Sequence, residues 1–234
     1  MSSRPFCAVV PAAGVGARMG ADRPKQYLPL AGATVIEWAL APLLAHPGLD
    51  RVAIALAPGD TWFRQLGTAL DPRVRLTEGG ATRAASVRAG LACLGAEDDI
   101  PILVHDSARP CLGADAVERL LPHAADPAGA LLAIPVPDTL KRAAADGRVA
   151  ATVNRAGLWQ AQTPQGFPAA VLATALDAAG DDTTITDEAS AVERLGRAPR
   201  LVEGDPANIK VTRAADLPLA EAILGAARRT RAGT

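Results

Sequence analysis

A glycine-rich turn, Ala12-Ala13-Gly14-Val15-Gly16, follows the apolar run Phe6 to Pro11 and leads directly to Arg18 and Lys25. Glycine lets a main chain turn sharply and bring its N–H groups close to an anion, and the two cations supply charge that neutral amides lack. The chemistry on offer is phosphate binding. The pattern is not the dinucleotide loop G-x-G-x-x-G, because Met19 stands where the third glycine belongs. It is not a Walker loop either, since the chain has no Gly-Lys-Ser/Thr tripeptide. Taken alone, the turn reads equally well as a tight strand-to-helix connection.

A second segment, His105-Asp106-Ser107-Ala108-Arg109-Pro110, follows the apolar stretch Ile100 to Val104. Asp106 and Arg109 are either a surface ion pair of little value or, at a ligand-facing edge, a magnesium or hydroxyl contact beside an anion contact. Strand alternation turns the His105 ring away from Asp106, so it reads as a core or interface histidine. Lysine occurs only at 25, 141 and 210, against 21 arginines, which marks the lysines as candidates for compact contact with phosphate oxygen. Asp187 and Glu188 are adjacent on a helix and do not face each other. They read as a cap on its first turn.

These groups need elements to hold them. Short buried strands expected at 6–11, 51–57, 73–77, 100–105, 130–136 and 199–203 alternate with helices expected at 34–45, 60–70, 82–94, 113–122, 167–179, 187–195 and 214–227. That alternation predicts an α/β fold around a mostly parallel sheet. Asp60, Thr82 and Thr186 are the expected N-caps of the second, third and sixth helices. In such sheets ligands sit beyond the carboxyl ends of the strands, where both the glycine turn and the Asp106 segment fall. From 137 to 159 the rhythm breaks. Asp146-Gly147 between two basic, sparsely apolar stretches predicts a hairpin, which is marginal alone and is expected to lean on a second copy of the chain. Trp159 reads as packing at that seam.

At 234 residues the chain is expected to form one domain, and its net charge of −1 argues against a general pull toward nucleic acid or anionic membrane. Cys7, Cys93 and Cys111 form no C-x-x-C pair, so neither a disulfide framework nor a zinc site is expected and a reducing cytoplasm fits. The first five residues lack an apolar signal core, and no run of about 18 apolar residues occurs. A soluble protein is expected.

Taken together, these segments resemble the 2-C-methyl-D-erythritol 4-phosphate cytidylyltransferases, the IspD family of the non-mevalonate isoprenoid pathway. The resemblance is carried across nearly the whole chain by Pro11 to Gly20, Pro24-Lys25-Gln26-Tyr27, Gly79 to Val87, Val104 to Pro110, Asp138 to Arg142, Thr163-Pro164-Gln165, Thr184 to Ala189 and Asn208-Ile209-Lys210-Val211-Thr212. It implies a Rossmann-like nucleotidyltransferase sheet with a protruding β-hairpin arm. It further implies cytidylyl transfer from CTP to a polyol phosphate, with magnesium, by a homodimer whose arms embrace. Arg18, Lys25, Arg155 and Lys210 are the implied catalytic cations, and Asp106 is the implied metal contact.

By the same resemblance, Ala12, Ala13, Gly80, Ala81 and Ser86 read the cytosine, and Pro11, Gly14, Gly16, Asp106 and Ser107 are further substrate-binding residues. Arg155 and Lys210 are the implied clamp on the acceptor phosphate, and Arg109, Thr139 and Thr163 complete the acceptor pocket. Thr139 and Arg155 would act on the site of the other subunit. Many relatives carry an acid where this chain has Ala81, so only its peptide groups are expected to contribute. Two alternatives stand beside this reading: a ribitol 5-phosphate cytidylyltransferase, and a noncatalytic CTP-binding protein on the same fold.

Overall fold

The structure, a computed structural model, describes residues 5–14, 23–180, 182 and 184–232. Gly16 and Arg18 of the glycine turn lie outside the described residues.

Strand β1 (Phe6–Ala12) is apolar along its length and buried on both sides, as expected of a central strand in a parallel sheet. Its alternate residues divide between two cores. Phe6, Ala8 and Val10 join Ile36, Leu40 and Leu43 of α1 (Val35–Leu44) and Val117 and Leu120 of α3 (Ala114–Ala124). Cys7 and Val9 turn the other way, onto Val87 and Leu94 of α2 (Arg83–Leu94), Leu172 and Leu176 of α4 (Ala169–Ala179) and Val192 of α5 (Glu188–Glu193). A smaller cluster joins Leu30, Val35, Cys111 and Val211 to Ala220 and Leu224 of α6 (Asp216–Ala232).

The remaining strands are β2 (Pro29–Leu30), β3 (Ala33–Thr34), β4 (Leu49–Leu56), β5 (Val74–Glu78), β6 (Pro101–Val104), β7 (Ala130–Pro135), β8 (Leu140–Ala143), β9 (Val149–Val153), β10 (Trp159–Pro168) and β11 (Arg200–Glu203). Seven of them form one sheet in the order β11-β7-β10-β6-β1-β4-β5. Its pairings are parallel except those of β10, which runs antiparallel to both β6 and β7. Strands β2 and β3 make a separate small hairpin, and so do β8 and β9.

The expected strands are all present within about two residues, but β10 was not foreseen. Pro164 and Gly166 disguise it, and its register on β7 shifts between Ala161 and Gln165, which lets a residue without an N–H stay in the strand. The helix expected at 60–70 is absent. Asp60 does accept from the N–H groups of Trp62 and Phe63, but only short 3-10 turns follow, at Phe63–Gln65 and Gly67–Leu70. Between them Leu66 is extended, and Gly67 and Thr68 are weak helix formers.

Thr82 caps α2 as expected, accepting from Ala85 N at 3.1 Å. The cap of α5 is Asp187 rather than Thr186. Its carboxylate accepts from Ser190 N at 2.9 Å, and the Ser190 hydroxyl in return accepts from Asp187 N at 3.2 Å.

Candidate active site

The carboxyl ends of β1, β5 and β6 meet at a cavity of about 240 Å³. Pro11, Ala13 and Gly14 line one wall, Gly80, Ala81, Thr82, Arg83 and Ser86 a second, and Asp106 and Ser107 the floor. Lys25, Gln26 and Lys210 close it from elements far away in sequence.

Each wall is fixed by hydrogen bonds from neighbouring loops. Gln26 is buried and donates to Ala12 O at 2.8 Å, tying the 3-10 turn Lys25–Tyr27 to the end of β1. Lys25 then reaches across and donates to Val211 O at 3.1 Å. Ser107 Oγ donates to Pro11 O at 3.0 Å. The Ser86 hydroxyl accepts from Gly80 N at 3.2 Å and donates to Thr82 O at 3.0 Å, shaping the loop that enters α2. Glycine is required there: a Cβ on Gly79 would lie 2.7 Å from Ala13 Cβ and 2.9 Å from Ser86 Oγ.

Asp106 is the electrostatic centre. Its Oδ1 accepts from Arg83 Nη2 at 3.2 Å, and its Oδ2 lies 2.8 Å from Lys210 Nζ and 3.5 Å from Arg109 Nε. Burial alone would raise this carboxyl, but Arg83, Lys210 and Arg109 outweigh burial and hold it well below the ordinary carboxylate range. Arg109 is itself mostly buried. Burial lowers its affinity for the proton, while its Nη1 donates to Asn208 O at 2.7 Å.

Behind the floor sits a buried polar scaffold. His105 Nδ1 is 3.0 Å from Thr163 Oγ1, its Nε2 is 3.2 Å from Arg109 O, and Thr163 Oγ1 accepts from Asp106 N at 3.0 Å. Burial depresses the His105 pKa to about 4, so this ring is neutral at pH 7. It is the core histidine that strand alternation predicts. Asn208, fully buried, donates to Thr163 O at 2.8 Å and so anchors the segment that carries Lys210.

Of the sequence-predicted site residues, Pro11, Ala13, Gly14, Lys25, Gly80, Ala81, Ser86, Asp106, Ser107 and Lys210 line one cavity. Ala12 is buried beside it and serves through its carbonyl. Arg109 and Thr163 stand behind the wall with their polar groups engaged internally. Thr139 and Arg155 are exposed at the ends of the β8–β9 hairpin and are not among this cavity's lining residues.

Three contributors were not foreseen as site residues: Gln26, Arg83 and Glu188. Gln26 and Arg83 sit inside motifs already singled out, and the signal for Arg83 was its place just after the Thr82 cap. Glu188 was read as a capping residue. Instead its side chain is buried and accepts from Arg83 Nη1. Among the described residues, no three His, Cys, Asp or Glu side chains cluster as a metal cage.

The family described as IspD, 2-C-methyl-D-erythritol 4-phosphate cytidylyltransferase, matches residues 6–226. The chain belongs to this family. The enzyme of that name from Laribacter hongkongensis is 58% identical over 220 residues, covering 93% of this chain and 95% of its own. The one from Chromobacterium violaceum is 54% identical, covering 94% and 97%. Among solved structures, the IspD of Francisella tularensis superposes with a TM-score of 0.81 at 31% identity, covering 94% of this chain and 99% of that one. No helix among the described residues is long and apolar enough to cross a membrane.

Proposed function

We infer that this chain transfers the cytidylyl group of CTP to the phosphate of 2-C-methyl-D-erythritol 4-phosphate, releasing pyrophosphate. The observation that carries the reading is the convergence, in a member of this family, of Lys25, Arg83 and Lys210 with one carboxylate on a single cavity rimmed by glycine loops.

The acceptor phosphate oxygen is already a nucleophile near neutral pH, so no side chain has to deprotonate it. It attacks the α-phosphorus, and the bond from that phosphorus to the bridging oxygen of pyrophosphate breaks. The difficulty is charge: two anions must meet while negative charge grows on the α-phosphate and the leaving group. Lys25 and Lys210 offset it from the cavity wall, each contributing about 2 to 4 kcal/mol on the scale of oxyanion donors. Arg18 is proposed to join them from the glycine turn. The peptide groups around Ala13 and Gly80 are proposed to read the cytosine.

Magnesium fits the residues present. Asp106 is a single carboxylate held ionised at the cavity floor, and Mg²⁺ takes most of its remaining ligands from water and substrate phosphates. When bound, the ion neutralises charge on the triphosphate.

We propose residues 1–234 as one nucleotidyltransferase unit acting in the cytoplasm as a homodimer, with 137–159 as the dimerisation arm. Two features support the arm. Its strands β8 and β9 pair with each other as a two-stranded ribbon apart from the main sheet, and its Val149 is 65% exposed. Thr139 and Arg155 would then reach the partner's acceptor pocket, beside Arg109.

The test is pyrophosphate release with CTP, magnesium and either methylerythritol phosphate or ribitol 5-phosphate. Faster turnover of the methylerythritol compound is expected. Preference for ribitol 5-phosphate, or CTP binding without release, would overturn the reading in favour of one or the other alternative.

A further inference from the structure

Among the described residues, Arg83 is the cation at the cavity whose guanidinium is shared between two acids. Its Nε and Nη2 lie 3.3 and 3.2 Å from Asp106 Oδ1, while Nη1 donates to Glu188 Oε1. Glu188 does not reach the cavity. It opens α5, with its side chain 1% exposed, and Oε2 has no hydrogen-bond partner among the described residues.

The mounting around Glu188 is rigid. Gln165 of β10 donates to Asp187 Oδ2 and accepts from Ala189 N, each at 2.8 Å, so the residues on both sides of Glu188 are fastened to the sheet. Placing a carboxylate in so dry a position is costly unless it is spent on an oriented partner. Arg83 already had one acid in Asp106, and Lys210 in the cavity and Arg109 behind its wall already lay against that same acid. Glu188 therefore adds little to neutralisation. What it adds is direction: it holds one end of the guanidinium plane so that the other end stays on Asp106 rather than swinging into the space where a polyphosphate would lie.

We propose that Glu188 is a positioning residue for cytidylyl transfer, acting through Arg83 to fix the Asp106 carboxylate and to keep Arg83 off the polyphosphate. This rests on the activity proposed above. If wild-type protein does not turn over CTP, that activity fails; if it does and the Glu188 variants behave as wild type, only this inference fails.

The experiment compares wild type, Glu188→Gln, Glu188→Asp, Arg83→Gln and the Arg83→Gln/Glu188→Gln pair, after thermal melts confirm folding at the assay temperature. Initial rates are measured with CTP and acceptor, and inorganic pyrophosphate binding is measured by calorimetry in EDTA. For Glu188→Gln the expected result is kcat down about 10-fold or more with KM for CTP not raised, and pyrophosphate bound at least 3-fold tighter because the guanidinium is released. Adding Glu188→Gln to Arg83→Gln should change neither quantity further. Glu188→Asp, which keeps the charge but withdraws it, should move both in the same direction by less, and it decides the question should Glu188→Gln not fold. Unchanged kcat, unchanged or weaker pyrophosphate binding, or equal effects of Glu188→Gln with and without Arg83 would overturn the proposal.

Discussion

The Lys210 ammonium rests 2.8 Å from Asp106 Oδ2, and the Lys210 side chain is 41% exposed. In the proposed reaction a cation held this way is stored beside a carboxylate, and its exposure allows it to exchange that partner for a phosphate. Lys25 arrives at the same place from the other end of the chain, through its bond to the Val211 carbonyl.

Replacing either lysine with methionine should therefore spare folding and cripple transfer. Lys25→Met and Lys210→Met are each expected to lower kcat by about 10²- to 10³-fold, the range for losing one donor to a developing anion. Initial-rate kinetics with melting curves check this. A loss confined to stability would contradict it.

The shared site proposed for the arm makes a mixing experiment decisive. Lys25→Ala and Arg155→Ala protomers, each nearly inactive alone, should recover about a quarter of wild-type activity when unfolded and refolded together in equal amounts, because about half of the dimers would be mixed and each mixed dimer would hold one intact site of two. Absence of recovery, with dimers confirmed by sedimentation, would place Arg155 outside the neighbouring site.

Much of this arrangement was legible in the sequence because it depends on periodicity and strand ends. The run Phe6 to Pro11 had to be a buried strand, the Thr82 cap marked the start of α2, and Asp146-Gly147 marked the hairpin. What was hidden depended on long-range contact. Strand β10 carries Pro164 and Gly166, residues that argue against a strand until β6 and β7 supply both pairing edges. Glu188 looked like a first-turn acid because local dipole logic cannot know that an arginine 105 positions away will face it.

Gly79 tests the closeness of the two loops proposed to frame the nucleotide. A Gly79→Ala methyl would press on Ala13 Cβ at 2.7 Å, at an expected cost of about 1 to 3 kcal/mol and with KM for CTP raised about 10-fold. Gly225→Ala is the control. Its new methyl would meet nothing closer than Arg229 Nη1 at 3.6 Å in α6, and helix propensity favours alanine there by up to about 1 kcal/mol.

Stability should depend on pH through His105. Its pKa falls from 6.5 to about 4 on folding, so between those values the unfolded chain binds a proton that the folded chain does not. Stability is then fully present above about pH 6.5 and declines by about 3 kcal/mol as the pH falls to 4. Asp106, whose pKa is lowered, contributes stability that is present above its unfolded value near 4 and is lost only as the pH falls further. Denaturant titrations across this range should show the first decline in wild type and its absence in His105→Asn.

The central claim is that residues from the two ends of the chain converge to hold one nucleotide polyphosphate. A crystal structure with CTP bound tests it most directly. Triphosphate oxygens are expected within hydrogen-bond reach of both Lys25 Nζ and Lys210 Nζ, with the cytosine between the Ala13 and Gly80 loops. A nucleotide seated elsewhere, or touching only one of the two lysines, would contradict it.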